Sequence, residues 1–345
     1  IPGMVRQRIA GSIHLTHYNR RSLEYKFTQS AANGIRVTMT TRTKGAGSPE
    51  AERAVRANRH TATLALAEAA AFGGGGCFNM HIAWDTDRQI QSWRRFLTDH
   101  TDLYHPGQAW SQIGVVAFGE QEYFSGERTQ KLGLAWLAGE LIEGRVLFDM
   151  IHEDQWTRRR LKRYRVTLIP PGVRYVSQTQ LDTLLAHVAG GGKVIMFGDD
   201  FARFDERCRR RESRPTDVSA RMLDAQCDRD VLFQALTEEL AGSPDVLDGV
   251  DHVGIEGVGV NAFAMPSADA PERIVLHLVN YNVPLGRVGT GPEPLEDLTL
   301  SITAPSQWEA TRIRVFTPES PTPTTVSFSQ EGDRIRVELP KLTVY

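Results

Sequence analysis

The feature that most constrains the fold of this chain is a change in hydrophobic period near residue 246. Before it, short apolar or β-branched runs alternate with longer segments whose apolar residues recur every three or four positions. After it, apolar and polar residues alternate one by one, between clusters of Gly, Pro, Asp and Ser. The first pattern predicts parallel strands joined by right-handed helical crossovers, and the second predicts antiparallel strands.

The first third of the chain alternates strand and helix three times. Strand runs are IAGSIH at 9–14, IRVTMTT at 35–41 and CFNM at 77–80, and helices are predicted at 21–32, 49–71 and 87–100. The end of the second helix, LALAEAAAF, is almost wholly small and apolar, which predicts that it is buried. We expect the glycines at 73–76 to break this helix before the third strand begins.

A second block repeats this alternation. Strands are predicted at 113–118, 146–150, 165–169 and 194–197, and helices at 130–143, 177–187 and 231–240. Ser177 is the predicted N-cap of the second of these helices. The polar, Arg-rich segment 201–228 indicates an excursion over the surface. Together these features predict a doubly wound, flavodoxin-like domain.

The bulk composition limits the partners and cofactors of the chain. A length of 345 residues suits two or three domains, and the formal net charge of −2 gives no reason to expect nucleic acid or a membrane as a partner. Cys77, Cys208 and Cys227 are too few and too far apart for a disulfide framework or a zinc site. We therefore expect a cytoplasmic protein without metal or cofactor. Because the chain starts at Ile1 without Met, we expect a processed or truncated N-terminus.

Three segments carry a resemblance to a known family. RYRVTLIPPGVRYVSQTQLDTLLAHVAGGGKVIMFGDD, at 163–200, resembles the middle domain of family 42 β-galactosidases, in which a strand ends in Pro, a helix begins after Ser and Gly-Gly precedes the next strand. IVLHLVNYN, at 274–282, looks like the first long strand of that family's C-terminal sandwich. AEAAAFGGGGCFNM, at 67–80, is similar to its last barrel helix and strand.

The resemblance implies an α/β fold in three parts. Residues 1–106 would form the C-terminal portion of a (β/α)8 barrel, residues 107–245 a flavodoxin/amidotransferase-like domain, and residues 246–345 a small antiparallel β-sandwich. In the family the middle domain serves mostly in oligomerisation and lacks the amidotransferase cysteine. In this chain Pro170, Pro171, Gly172, Gly198 and Asp199 fill the corresponding strand-to-helix turns. The resemblance therefore implies a homo-oligomer, or a chain that pairs with a missing N-terminal barrel segment.

The resemblance also implies a glycoside hydrolase-like protein that acts on a carbohydrate. Glycosidases need two carboxyl groups, and in a barrel these lie at the carboxyl ends of strands. None of the three predicted strand ends carries Asp or Glu, so the catalytic residues are unknown. The family places its nucleophilic Glu after the seventh barrel strand; if the run at 35–41 is that strand, this chain has Thr or Arg at the position. Three explanations of the missing carboxylates stay open. The register of the predicted strands differs from that of the family, the carboxylates lie in an absent N-terminal part, or the chain is a non-catalytic assembly or carbohydrate-binding subunit.

Five residues near the predicted strand ends are candidates for binding the carbohydrate. His14 and His17 suit sugar hydroxyls or proton transfer, and Arg42 suits the carboxylate or sulfate of an acidic sugar. Asn79 suits hydroxyl groups, and Trp84 suits stacking on a sugar ring. The structural alternatives are packing at the barrel rim for His14 and His17, a salt bridge within the loop for Arg42, and packing between domains for Trp84.

Other polar residues receive structural interpretations. We expect Glu24, Tyr25 and Lys26 to face solvent or a neighbouring helix. His81 and Asp85 have a metal-like spacing but no third ligand, and glycines 73–76 lack the Lys-Ser/Thr of a phosphate-binding loop. A polar cluster follows the second strand of the second block, where flavodoxin-like folds bind ligands. We interpret it as a solvated interface loop, with a ligand-binding regulatory module as the weaker alternative; its members are Asp149, His152, Glu153 and Asp154.

Overall fold

The computed structural model describes three successive parts of the chain in detail. It describes residues 26, 30, 37–42, 59–72, 74–79, 88–104, 108–119, 121, 124, 129–212, 220–242, 244–248, 257–265, 268, 271–282, 291–304, 308–320 and 322–345. For residues 37–42, 59–62, 65, 74–79, 129–132 and 247–248 the description covers the backbone. The strand predicted at 9–14 lies outside the described residues.

The first part contains a parallel pair of strands joined through a helix. Its elements are β1 (Val37–Arg42), α1 (Arg59–Ala71), β2 (Gly74–Asn79) and α2 (Arg88–Asp99), followed by a 3₁₀ turn at Thr101–Leu103. Val37 lies opposite Gly74 and Arg42 opposite Asn79, so the predicted parallel pairing is confirmed.

The predicted start of the third strand is wrong by three residues. The helix ends at Ala71, as expected, but Gly74 to Gly76 already belong to β2 and pair with Val37–Met39. Glycine adopts extended backbone freely, and the ladder with β1 supplies hydrogen bonds that compensate for the missing side chains. These glycines therefore form a strand.

Helix α1 is buried along its C-terminal half, as its sequence predicts. Leu64, Leu66 and Phe72 pack in one core with Trp93 of α2 and Tyr281 of the C-terminal part. This core also includes residues from the chain's end. The first part is therefore packed directly onto the third, although about 200 residues separate them.

The second part is a parallel sheet of five strands with helices on both faces. Its strands are β4 (Ile113–Ala117), β5 (Asp149–His152), β6 (Val166–Ile169), β7 (Lys193–Phe197) and β8 (Arg221–Leu223). Their order across the sheet is β5-β4-β6-β7-β8, and all neighbours are parallel. The helices are α3 (Thr129–Glu143), α4 (Arg158–Leu161), α5 (Gln178–Ala189) and α6 (Arg229–Leu240), with a 3₁₀ turn at Glu153–Gln155.

Alternate residues of β4 show how the two faces are covered. Val115 packs with Leu137 of α3 and Leu236 of α6, whereas Val116 packs with Leu184 of α5 on the other face. Ser177 caps α5 through a full capping box with Gln180, which confirms the predicted cap.

Two predictions for this sheet are wrong. The second strand begins at Asp149 instead of residue 146, because Val146 forms an isolated bridge with Asp245 and Phe148 packs beneath Lys26. Within the predicted surface excursion, Arg221–Leu223 form the fifth strand, paired with β7. The strand has only three residues, Arg221, Met222 and Leu223, and Met222 is exposed, so its sequence carries little strand signal.

The third part consists of antiparallel sheets. Strands β10 (Val258–Met265) and β11 (Arg273–Asn280) form one sheet with β3 (Gln108–Ala109). The other contains β9 (Leu247–Asp248), β12 (Leu295–Thr303), β15 (Phe328–Glu331) and β16 (Arg334–Leu342). Strands β13 (Ile313–Val315) and β14 (Thr324–Val326) form a separate pair.

The inner faces of these two sheets share one core. Val260 and Leu278 of the first sheet pack with Leu300 and Val337 of the second. The antiparallel arrangement that the one-by-one alternation predicts is therefore confirmed. Within the described part of the chain, no helix has both the length and the apolarity needed to cross a lipid bilayer.

Candidate functional site

The carboxyl ends of β1 and β2 bring two of the five predicted binding residues together. Arg42 is the last residue of β1, Asn79 is the last residue of β2, and the two are register partners. Parallel strands end at the same edge, so both residues stand at the edge where barrel enzymes carry their sites. His14, His17 and Trp84 lie outside the described residues.

The residue types at this edge are not those of acid–base catalysis. The last residues of the two described strands are Arg42 and Asn79, whereas the acid–base catalysis of a glycosidase needs carboxyl groups. Both groups can donate hydrogen bonds, and Arg42 offers a planar fork that matches a carboxylate or sulfate.

Asn261 fixes the helix between these two strands to the third part of the chain. Its Nδ2 donates a hydrogen bond of 2.8 Å to the carbonyl oxygen of Ala71, the last residue of α1. Its Oδ1 accepts a hydrogen bond of 2.7 Å from the Nζ of Lys26. A buried amide in strand β10 thus holds the C-terminus of α1, just before β2 begins.

The expectation that Lys26 faces solvent or a neighbouring helix is wrong. Its side chain is buried between Phe72 and Phe148, with Nζ 4.4 Å from the centre of the Phe148 ring. Burial lowers the pKa of Lys26 to about 8, and the nearby Asp149 carboxylate offsets part of that shift. Lysines in a predicted amphipathic helix are usually exposed, so the sequence gives no signal that Lys26 is buried.

Lys26 and Ser30 cover the open edge of the parallel sheet. Strand β5 is the edge strand, so its outward backbone groups need partners. Lys26 Nζ donates to the carbonyl oxygen of Phe148 at 2.7 Å, and Ser30 Oγ donates to that of Met150 at 2.8 Å. The backbone N–H of His152 donates to Ser30 Oγ at 3.1 Å. Two residues spaced four apart on a helix thus match alternate residues on the strand.

The polar cluster within and just after β5 is largely buried, which corrects its interpretation as a solvated loop. Asp149 accepts hydrogen bonds from Arg160 at 2.5 Å and from the hydroxyl of Tyr164 at 2.7 Å. Glu153 accepts a hydrogen bond of 2.7 Å from the backbone N–H of Gly119. Only the side chain of Asp154 is open to solvent, with 80% exposure. These carboxylates stabilise the ends of β4 and β5.

The crevice where such a sheet binds ligands is bridged by a glutamine. The strand order reverses between β4 and β6, which places the crevice beyond their carboxyl ends. Gln121 is buried there, and its Oε1 accepts hydrogen bonds of 2.8 Å from the backbone N–H groups of Arg174 and Tyr175. Its Nε2 donates to the carbonyl oxygen of Tyr175 at 2.5 Å. The side chain thus occupies the hydrogen-bonding groups that a ligand would use.

Sequence reasoning missed Asn261 and Gln121, because the role of each depends on backbone groups brought close by tertiary structure. Among the described residues no group of three or more His, Cys, Asp or Glu side chains is placed to hold a metal ion. His81 and Asp85 lie outside the described residues.

Comparisons with known proteins show which solved structures have a similar fold. No protein-family profile matches the chain, and no curated protein matches it in sequence. α-L-Fucosidase isoenzyme 2 from Paenibacillus thiaminolyticus is similar in structure, with a TM-score of 0.60 and 14% identity over 95% of this chain and 62% of that one. A GH42 β-galactosidase from G. stearothermophilus has a TM-score of 0.58 and 12% identity over 95% of this chain and 57% of its own.

A third structure agrees with these two. The β-galactosidase from Rahnella sp. has a TM-score of 0.58 and 10% identity over 94% of this chain and 57% of that one. The chain therefore has a glycoside hydrolase-like fold, and it spans about 60% of the length of these structures.

Proposed function

We propose that this chain is the C-terminal part of a glycoside hydrolase-like protein that acts on a carbohydrate. It would supply the last units of a (β/α)8 barrel, a flavodoxin-like domain and a β-sandwich. The observation that carries the proposal is the order of three structural parts: the parallel β1–α1–β2 unit, the sheet ordered β5-β4-β6-β7-β8, and the antiparallel sheets. A fucosidase and a β-galactosidase align with this chain over 95% of its length.

The carbohydrate would bind at the carboxyl edge of β1 and β2. Arg42 would hold the anionic group of an acidic sugar and Asn79 would donate to a hydroxyl, with His14, His17 and Trp84 completing the site. The register pairing of Arg42 with Asn79 supports this proposal, because it places two hydrogen-bonding side chains on neighbouring strand ends.

A second candidate function is that of a non-catalytic assembly or carbohydrate-binding subunit. It is favoured by the identity of the same two residues, because neither Arg42 nor Asn79 can serve as the acid or the nucleophile of glycoside hydrolysis. In this case the fold would bind sugar without cleaving it.

We also propose that the second part of the chain mediates assembly, as a homo-oligomer or with a further barrel segment. Gln121 bridges the ligand crevice of this sheet, which favours a structural role over a regulatory ligand site. Next to it Phe124 is 40% exposed and lies 5.4 Å from the ring of Tyr175, which stacks on Phe204 at 5.0 Å. A cluster of one exposed and two half-buried aromatic rings suits a subunit contact.

Hydrolysis and binding assays separate the two functions. The natural full-length protein is incubated with nitrophenyl β-galactoside, α-fucoside and β-glucuronide, and binding of the parent sugars is measured by calorimetry. Turnover supports the enzyme, and saturable binding without turnover supports the binding subunit. A folded protein that neither binds nor cleaves any of the three contradicts both proposals.

A further inference from the structure

A cavity of about 440 Å³ lies within the third part of the chain. It is bordered by β11 on one side and by β13 on the other, and strands β12 and β16 contribute its aliphatic floor. The volume lies in the range of cavities that bind ligands, roughly 300–1,000 Å³. The apolar side chains of the floor are Leu300, Ile302, Ile335, Val337 and Leu339.

The lining residues show that strand edges border this cavity. Every residue from 272 to 278 lines it, and so does every residue from 308 to 317. Successive side chains of a strand point to opposite faces of a sheet, so a cavity against a face would be lined by every second residue. A lining by consecutive residues therefore means that the edges of β11 and β13 face the cavity.

Both edges are unpaired within the described part of the chain. Strand β11 pairs with β10 alone, and its one further backbone hydrogen bond runs from the N–H of Asn280 to the carbonyl oxygen of Val344, at 3.0 Å. Strand β13 pairs with β14 alone. Outward N–H and C=O groups of a buried or half-buried edge need partners, and an open edge is a template for a further strand.

Aromatic residues with polar atoms also form part of the cavity wall. The Nε2 of His277 and the hydroxyl of Tyr104 are buried. The Tyr104 hydroxyl interacts with that of Tyr345, and the His277 ring interacts with the backbone of Leu103. Both residues line the cavity. The rings of Tyr104 and His277 stack at 5.4 Å, so they form one aromatic wall with polar atoms inside it.

The charges at the cavity are mainly basic. Arg273 is paired with Asp102, and Lys341 lies 3.8 Å from Glu296. Arg312 directly precedes β13 and Arg314 lies within it, so the two are on the same side of the chain. Both line the cavity, and the Arg314 guanidinium lies 5.2 Å from the centre of the Phe316 ring. Glu272 and Glu309 also line the cavity, but the basic side chains outnumber them.

We propose that an extended peptide segment binds in this cavity as an added β-strand between β11 and β13. Its backbone would pair with both open edges, its apolar side chains would contact the aliphatic floor, and acidic side chains on its other face would meet Arg312 and Arg314. Six residues of β11 extend over about 20 Å, so the segment has five or six residues.

Other occupants fit the lining less well. An alkyl chain would cover the floor but leave the backbone groups of β11 and β13 unpaired. A sugar would place its hydroxyl groups against aliphatic side chains, at a cost in desolvation.

The first test uses a labelled peptide, acetyl-Val-Glu-Val-Glu-Val-Glu, and the full chain of 345 residues. Fluorescence anisotropy is expected to show saturable binding in the micromolar range. A peptide with Lys in place of Glu is expected to bind at least tenfold more weakly, and so is a peptide whose amides are N-methylated. Equal binding of the N-methylated peptide would overturn the proposal, because that peptide cannot donate to a strand edge.

Variants locate the binding. Leu276→Trp fills the cavity and is expected to weaken binding at least tenfold, whereas Val231→Trp, at a 42% exposed position on α6, is expected to have no effect. The double variant Arg312→Glu/Arg314→Glu is expected to prefer the Lys peptide, with the exposed Arg207→Glu as its control. This reversal stays informative if Leu276→Trp fails to fold.

Two further results would refute the inference. One is the absence of saturable binding of the Glu peptide to a folded wild-type chain. The other is binding of a fluorescent fatty acid, such as parinaric acid, that Leu276→Trp abolishes while the peptide does not bind. In that case the cavity would be a lipid site.

Discussion

The Nζ of Lys26 donates a hydrogen bond of 2.7 Å to the carbonyl oxygen of Phe148, the residue just before edge strand β5. The same Nζ donates to Asn261 in strand β10. One buried amine therefore joins a helix of the first part to both of the following parts. Its burial lowers the pKa of Lys26 to about 8, from an ordinary value of 10.5.

The lowered pKa of Lys26 predicts a pH dependence of stability. Between about pH 8 and 10.5 the unfolded chain holds a proton on Lys26 that the folded chain has lost, so this group makes the folded state more stable as the pH rises. Relative to Lys26→Met, the free energy of unfolding should increase by about 3 kcal/mol across that window. Urea unfolding at several pH values measures it. Lys162→Met, at an exposed lysine, is the control and should run parallel to wild type.

Arg145 and Asp245 form a buried ion pair at 2.8 Å, with side chains 1% and 10% exposed. Arg145→Met leaves a buried carboxylate without its main partner and should lower the free energy of unfolding by about 3–5 kcal/mol. Arg145→Met/Asp245→Leu should recover at least about 2 kcal/mol of that loss.

An exposed ion pair is the matched control for the comparison of variants at the buried pair. Arg165 and Asp333 lie 3.2 Å apart with side chains 53% and 43% exposed, so Arg165→Met should change stability by less than about 1 kcal/mol. A double variant at the buried pair that is no more stable than Arg145→Met would contradict the argument.

Gln121→Ala should destabilise the second part without changing carbohydrate binding. The substitution removes the bonds to Arg174 and Tyr175 and leaves two buried N–H groups without this acceptor, which should cost about 2–3 kcal/mol. Thermal unfolding and sugar affinity are measured on the same sample. A change in affinity at a temperature where the variant is fully folded would show that the crevice takes part in ligand binding.

Arg42→Ala and Asn79→Ala should each weaken carbohydrate binding about tenfold, since each removes one charge-assisted or amide hydrogen bond. Arg42→Lys keeps the charge but loses the planar fork, so it should restore little affinity for an acidic sugar. Calorimetry with the glucuronide is the measurement, and Arg207→Ala is the surface control. Unchanged affinity in both alanine variants would remove this edge from the site.

Elements with a strong period were predictable from the sequence, with boundaries within a few residues. Helix α5 illustrates this, because Ser177, Gln180 and Gly190 give local start and stop signals that need no tertiary context. The antiparallel strands are similar, since β16 alternates buried and exposed residues along most of its length.

The remaining features depend on contacts between distant residues. Strand β8 has three residues, too few to show a period, and it pairs with the edge of β7. Lysine is common at exposed helix positions, so the sequence gives no sign that Lys26 is buried. The acceptors of its amine belong to Phe148 and Asn261, which are distant in sequence. Of the five predicted binding residues, the strand pairing brings together Arg42 and Asn79, and no periodic pattern predicts such a register.

The short strand β3 has a consequence for how the chain is synthesised. Gln108 and Ala109 pair with Ala264 and Phe263, which the ribosome adds about 150 residues later. Residues 108 and 109 therefore have no strand partner until the intervening block has been synthesised. A nascent chain stalled before residue 260 would keep this segment accessible to chaperones, and the join between the first and third parts would close only after β10 has been synthesised.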